Sequence, residues 1–198
     1  MLNLLVLGAV LNPFSLPNMN NAGTPYNSAE HKNAVFVIEA FFNGCHYCHV
    51  NAPNVHDLVT AYRGNDRVQV LDVGIDSQPI QYDSWIRQTN PSHPVLNDSR
   101  RSVIGALKTQ GFPSTYVLNC KGEVIGQTEG VWGTNAQRQI KQSIEQGLGT
   151  KCEEDPPPPP GSRVFTVESP NVVLKVTLRP TNKLTVNEAQ VILAPFMK

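Results

Sequence analysis

Residues 34 to 42, AVFVIEAFF, form an apolar, β-branched and aromatic run interrupted only by Glu39. The run is too short for a membrane-spanning helix and lacks the alternation of a half-solvated strand. It predicts a strand buried on both faces. Such a strand needs pairing at its edges and helices over its faces, which points to an α/β architecture. Gly44 ends the run. From Cys45 onward the chain suits a helix, with Val50, Val55, Leu58, Val59 and Tyr62 at helical spacing and Gly64 as a stop. Pro53 lies inside that pattern and predicts a kink.

The same alternation continues. VQVLDVGID (68–76) reads as a second buried strand, SWIRQT (84–89) as helical, and HPVLND (93–98) as a short strand. SRRSVIGALKTQG (99–111) reads as a capped helix closing at Gly111. PSTYVLNC (113–120) is a strand, and Lys121-Gly122 turns it tightly into EVIGQTEG (123–130). NAQRQIKQSIEQGLG (135–149) is an amphipathic helix, with Ile140, Ile144 and Leu148 four residues apart. Strands alternating with helices imply parallel pairing, and the closing hairpin adds antiparallel strands.

The two ends differ in kind. Met1 to Leu11 is apolar apart from Asn3 and resembles the core of a secretory signal, although a basic leader and an A-x-A site are missing. An export signal is the expectation, with a buried N-terminal segment as the alternative. Asn12 to Asn27, rich in Asn and Pro, reads as an irregular connection. Beyond Cys152, EEDPPPPPGS (153–162) predicts a stiff polyproline linker. Residues 163–198 alternate apolar and polar side chains and predict a short β-rich tail. The expected divisions are therefore 1–27, 28–152, 153–162 and 163–198. Basic and acidic residues balance at 16 each, with no basic stripe, so nucleic acid is not an expected partner.

Cys45-His46-Tyr47-Cys48-His49 carries the chemistry, and its letters fit three sites: a redox C-x-x-C, a c-type haem attachment C-x-x-C-H, and a zinc site using Cys45, Cys48, His49 and His56. The preceding strand favours the first. It sets Cys45 at a helix N-terminus, where free backbone N–H groups and the helix dipole stabilise a thiolate. Cys48, one turn further in, is placed to resolve a mixed disulfide. His46 beside the nucleophile is expected to help hold the thiolate, and Tyr47 to contact substrate. Glu39, inside an apolar strand, is a candidate proton carrier for Cys48. Pro113 opens the strand at 113–120, in a context that predicts a cis Phe112–Pro113 bond with its edge offered to a substrate strand. The haem alternative needs a second axial ligand, and Met19 and Met197 stand in poor contexts for it. The zinc alternative would need histidines that lie along one helix to surround one point. Cys120 and Cys152 are either buried free thiols or a structural disulfide; the bridge is the expectation, and it would imply an oxidising compartment. Trp85 and Trp132 read as packing residues.

VIEAFFNGCHYCHVNAP, with an acid six residues before Cys45 and Pro53 five after Cys48, resembles the thioredoxin fold, and QGFPSTYVLNCKGEVIGQTEG resembles its cis-proline strand and closing hairpin. The extra strand–helix unit around 68–92 is similar to the TlpA/ResA-like branch of thiol-disulfide oxidoreductases. The resemblance covers residues 28–150 and departs at Gly44, where Trp is common, and at Tyr47, where proline is. It implies an exported, periplasmic or secreted enzyme exchanging electrons with protein cysteines, with the reductase direction favoured. Several such enzymes serve cytochrome c biogenesis. It implies no required cofactor and an upstream redox partner protein; membrane anchoring is not the expectation. A non-catalytic thioredoxin-fold binding module is the rival reading. Peroxide chemistry would want a P-x-x-x-T-x-x-C pattern, which the sequence lacks.

Overall fold

The computed structural model describes residues 10–21 and 24–152 in full, and the backbone alone of 163–169 and 172–178. The signal reading of the first residues and the polyproline reading of 153–162 lie largely or wholly outside the described residues. The chain divides after Cys152 into two units.

In the first unit, five strands form one sheet: β3 (Val35–Phe41), β4 (Val68–Gly74), β5 (Val95–Asn97), β6 (Ser114–Leu118) and β7 (Val124–Glu129). Their spatial order is β5-β4-β3-β6-β7. β3, β4 and β5 run parallel, while β6 and β7 are antiparallel, so the sheet is mixed as expected. The apolar run at 34–42 becomes β3, the central strand, buried at every position. Its alternate side chains feed two cores. Phe36, Ile38 and Ala40 join Leu71, Leu96, Tyr116 and Val103 on one face. Val35 and Val37 join Val55 and Leu58 of α1 (His46–Ala61) and Ile140 and Ile144 of α4 (Thr134–Leu148) on the other. A third cluster, with Phe41, Tyr82, Trp85 and Val95, surrounds the first two cysteines.

Several expectations shift. α1 runs through Pro53 without interruption. The helix expected at 84–89 starts earlier, as α2 (Pro79–Thr89). Pro79 occupies its first turn, where a missing N–H costs nothing, and the Gln81 side chain accepts from the backbone N–H of Gln78. The helix expected over 99–111 is only α3 (Ser102–Ala106). Its first turn is held by Asp98, whose carboxylate accepts from the backbone N–H groups of Ser102, Val103 and Ile104. Lys108 takes a left-handed φ of 54°, which stops the helix well before Gly111. The turn after β6 is fastened by Asn119 Oδ1, which accepts from Lys121 and Glu123. Gly122 adopts φ 76° there, with Leu11 packed so close that a Cβ would strike its carbonyl oxygen.

The segment expected to be irregular is a packed strap. β1 (Ser15–Leu16) pairs with β2 (Tyr26–Asn27), and Leu16 and Tyr26 are buried. Met19 N–H donates to Val95 O, and Asn97 N–H to Pro17 O, so the strap lies along the edge of β5. Among the described residues, no helix is long and apolar enough to cross a membrane. In the second unit, β8 (Arg163–Ser169) and β9 (Val172–Leu178) form an antiparallel hairpin.

Candidate active site

Gly44 and the turn before it deliver Cys45 to the start of α1 as its N-cap, in an extended conformation (φ −82°, ψ 104°). The turn is anchored by Asp76, just beyond β4, whose Oδ2 accepts from Asn43 N–H at 2.7 Å. Cys45 and Cys48 are joined in a disulfide, with Cα atoms 5.2 Å apart. The Cys45 sulfur also accepts from Cys48 N–H at 3.1 Å, so the first helical turn already directs a donor at it. Both sulfurs are packed in: Cys45 is 6% exposed and Cys48 1%. Cys45 is thus the more accessible of the pair, and Tyr47 and Val50 on the same helix are exposed.

Glu39 is buried beneath α1, on the same face of β3 as Val35 and Val37. Asn51 Nδ2 donates to its Oε1 at 2.8 Å, and Thr115 Oγ1 donates to its Oε2. Both partners are themselves constrained. Asn51 Oδ1 accepts from Trp132 N–H and from Asn54 Nδ2, which leaves the Asn51 amide nitrogen facing Glu39. Thr115 Oγ1 accepts from Trp132 Nε1 at 2.8 Å, which sends its own proton to Glu39. Burial raises the Glu39 carboxyl to about 7, partly offset by these hydrogen bonds. A carboxyl poised there exchanges a proton near neutral pH.

The Phe112–Pro113 bond is cis. Phe112 packs against the cysteine cluster, with its ring edge-on to Phe42 at 5.5 Å. Pro113 is buried, and its carbonyl accepts from Gly130 N–H at 2.8 Å. His46 is exposed and stands edge-on to Tyr47, with ring centroids 5.4 Å apart. His49, the histidine of the haem and zinc readings, is half-buried. Its ring leans on Trp85 at 4.8 Å and its Nε2 meets Asn43 O at 2.8 Å. His46, His49 and His56 line one groove between α1 and α2, yet no three His, Cys, Asp or Glu side chains among the described residues converge as a metal site. Cys120 and Cys152 are brought together as a second disulfide, with Cα atoms 6.0 Å apart.

Five residues around Glu39 escaped the sequence reading. Asn51, Thr115 and Trp132 fix its hydrogen bonds, and Asp72 and His93 add buried charge beside it. Trp132, read as packing, is also a double donor. Asp72 carried a visible signal, an acid inside the apolar run VQVLDVGID, the same signal that singled out Glu39.

A strand–turn–helix C-x-x-C over a buried acid, faced by a cis-proline strand, defines a thioredoxin-fold dithiol–disulfide centre, the working site of thiol-disulfide oxidoreductases. The chain belongs to the AhpC/TSA family, whose profile matches residues 7–127. Its fold is similar to that of a Chlorobium tepidum protein assigned as the thiol:disulfide interchange protein DsbE, at 18% identity and a TM-score of 0.63 over 72% of this chain and 98% of that one. It is similar to the thioredoxin domain of a thiol-disulfide oxidoreductase from Bacteroides vulgatus, at 15% identity and a TM-score of 0.61 over 71% and 99%. It also resembles a secreted Mycobacterium tuberculosis disulfide oxidoreductase, at 14% identity and a TM-score of 0.55 over 67% and 95%. No curated protein matches the sequence.

Proposed function

We propose that the protein exchanges disulfides with cysteines of other proteins outside the cytoplasm, with the reductase direction favoured. The observation that carries this reading is the Cys45–Cys48 disulfide at the N-terminus of α1 above a hydrogen-bonded, buried Glu39. In the reduced enzyme the Cys45 thiolate attacks one sulfur of a substrate disulfide. A Cys45–substrate bond forms, and the other substrate sulfur leaves as a thiolate. Cys48 then gives its proton to Glu39 and attacks Cys45, the Cys45–Cys48 disulfide forms, and the second substrate thiolate departs. The substrate gains two electrons and the enzyme loses them. A dithiol protein, the upstream redox partner, restores the reduced enzyme by the same exchange in reverse.

Phe112, Pro113, His46 and Tyr47 form the substrate-facing rim in this reading. The four cysteines are all paired, which suits an oxidising compartment. The secreted neighbour from M. tuberculosis supports the same location. The test traps the intermediate. A reduced Cys48→Ser variant mixed with a disulfide-bonded protein should accumulate a covalent complex through Cys45 that dithiothreitol dissolves. A variant that accumulates no complex would make the chain a binding module instead.

A further inference from the structure

Glu39 does not stand alone in the sheet. It is in register with Asp72 on the neighbouring parallel strand β4, and Asp72 is 3% exposed. Each Asp72 oxygen faces a different neighbour. Trp85 Nε1 donates to Oδ2 at 3.0 Å, and His93 Nε2 lies 3.0 Å from Oδ1. His93 is 8% exposed, just before β5, and its Nδ1 finds no partner among the described residues. Trp85 ties this pair to the redox site, because its ring stacks on Phe41 at 4.1 Å and belongs to the cluster around Cys45 and Cys48. Two carboxyls and one imidazole thus share a dry layer of the sheet.

Burial penalises net charge, so this layer is most stable when its charges sum to zero. An Asp72 carboxylate against a His93 imidazolium leaves Glu39 neutral. Ionising Glu39 makes the layer net negative, and the imidazolium is then the group that holds it. The direction for His93 agrees: burial lowers its proton affinity, but the charges of Asp72 and then Glu39 outweigh that and raise it. We propose that Asp72 and His93 are positioning residues for the redox reaction, a buried charge pair that sets the pH at which Glu39 takes the Cys48 proton. This rests on the reading of Cys48 as the resolving cysteine. The charged groups that act on Glu39 are Asp72 from β4 and His93 from the segment before β5, and α1 places the neutral Asn51 amide on it. The groups that β6 and the turn before α4 place on its hydrogen-bond network, Thr115 and Trp132, are neutral.

The test loads Cys45 with a coloured aryl thiol as a mixed disulfide. Cys48 forms its bond to Cys45, its proton passes to Glu39, and the aryl thiolate leaves with the electron pair. Release is followed by absorbance across the neutral pH range. In the wild type the rate should rise with a midpoint near the Glu39 value of about 7. His93→Gln leaves Asp72 uncompensated and should move the midpoint up by roughly one pH unit. Asp72→Asn removes the stronger influence on Glu39 and should move it down by at least as much. Both displacements should vanish in a Glu39→Gln background. Displacements in the same direction, or ones that persist without Glu39, would overturn the pair's role and leave the exchange reading intact. A wild type that releases no aryl thiol would sink both. Should the variants fail to fold, the wild-type His93 ring followed by NMR decides. It should stay protonated through the Glu39 transition, and a ring already neutral below that transition refutes the proposal.

Discussion

The two disulfides are the same bond in opposite settings. Cys45–Cys48 closes a separation of 3 residues at the start of a helix, with a backbone donor on one sulfur and a buried, hydrogen-bonded acid beneath the same helix. Cys120–Cys152 closes a separation of 32, from the end of β6 to just past α4, and the described contacts of its sulfurs include no acid or base. A short loop constrains the unfolded chain little, and a long one constrains it more. The contrast teaches that pairing alone does not make a redox centre. The surroundings decide whether a sulfur leaves easily.

The sharpest way to break the comparison is to remove one member at a time. Cys45→Ser should abolish exchange with protein disulfides, read as loss of turnover, while thermal stability changes little. Cys120→Ser with Cys152→Ser should do the reverse. By loop-closure entropy it should cost about 3–4 kcal/mol in denaturant unfolding. Exchange by Cys45 should persist in the folded fraction.

Glu39→Gln should slow the resolving step by roughly 100-fold and flatten its pH dependence, measured by single-turnover kinetics. Its effect on stability has a definite sign. The folded carboxyl is raised to about 7 from an ordinary 4.5, so the native state holds more protons than the unfolded state between those values. Wild-type stability therefore falls as pH rises through that window, by up to about 3 kcal/mol. Glu39→Gln should lack this decline in urea titrations run on either side of it. Gly74→Ala gives a smaller effect. Its Cβ would stand 2.6 Å from Tyr82 and 2.8 Å from Phe41, rings packed below the cysteines. A loss of about 1–3 kcal/mol is expected from overpacking, read as a lowered unfolding midpoint.

What the sequence disclosed depended on how local the signal was. β3, Glu39, the C-x-x-C helix start and the cis proline each rest on a few adjacent residues, so they were legible. The N-terminal strap carries no periodicity, and its packing comes from Leu16 and Tyr26 meeting residues far along the chain. Pro79 reads as a breaker in isolation, but at a helix start it is a favoured residue. The end of α3 at a left-handed Lys108 has no glycine to announce it. The layer around Glu39 was hidden by distance: Thr115 lies 76 residues from Glu39, and Trp132 lies 81 from Asn51. Only the fold brings such partners together.

The most direct measurement equilibrates the intact protein against glutathione redox buffers, labels the free thiols and locates the labels by mass. The account predicts one two-electron transition confined to Cys45 and Cys48, with Cys120 and Cys152 unlabelled throughout. A Cys45–Cys48 pair that never titrates, or two disulfides that open together, would contradict it.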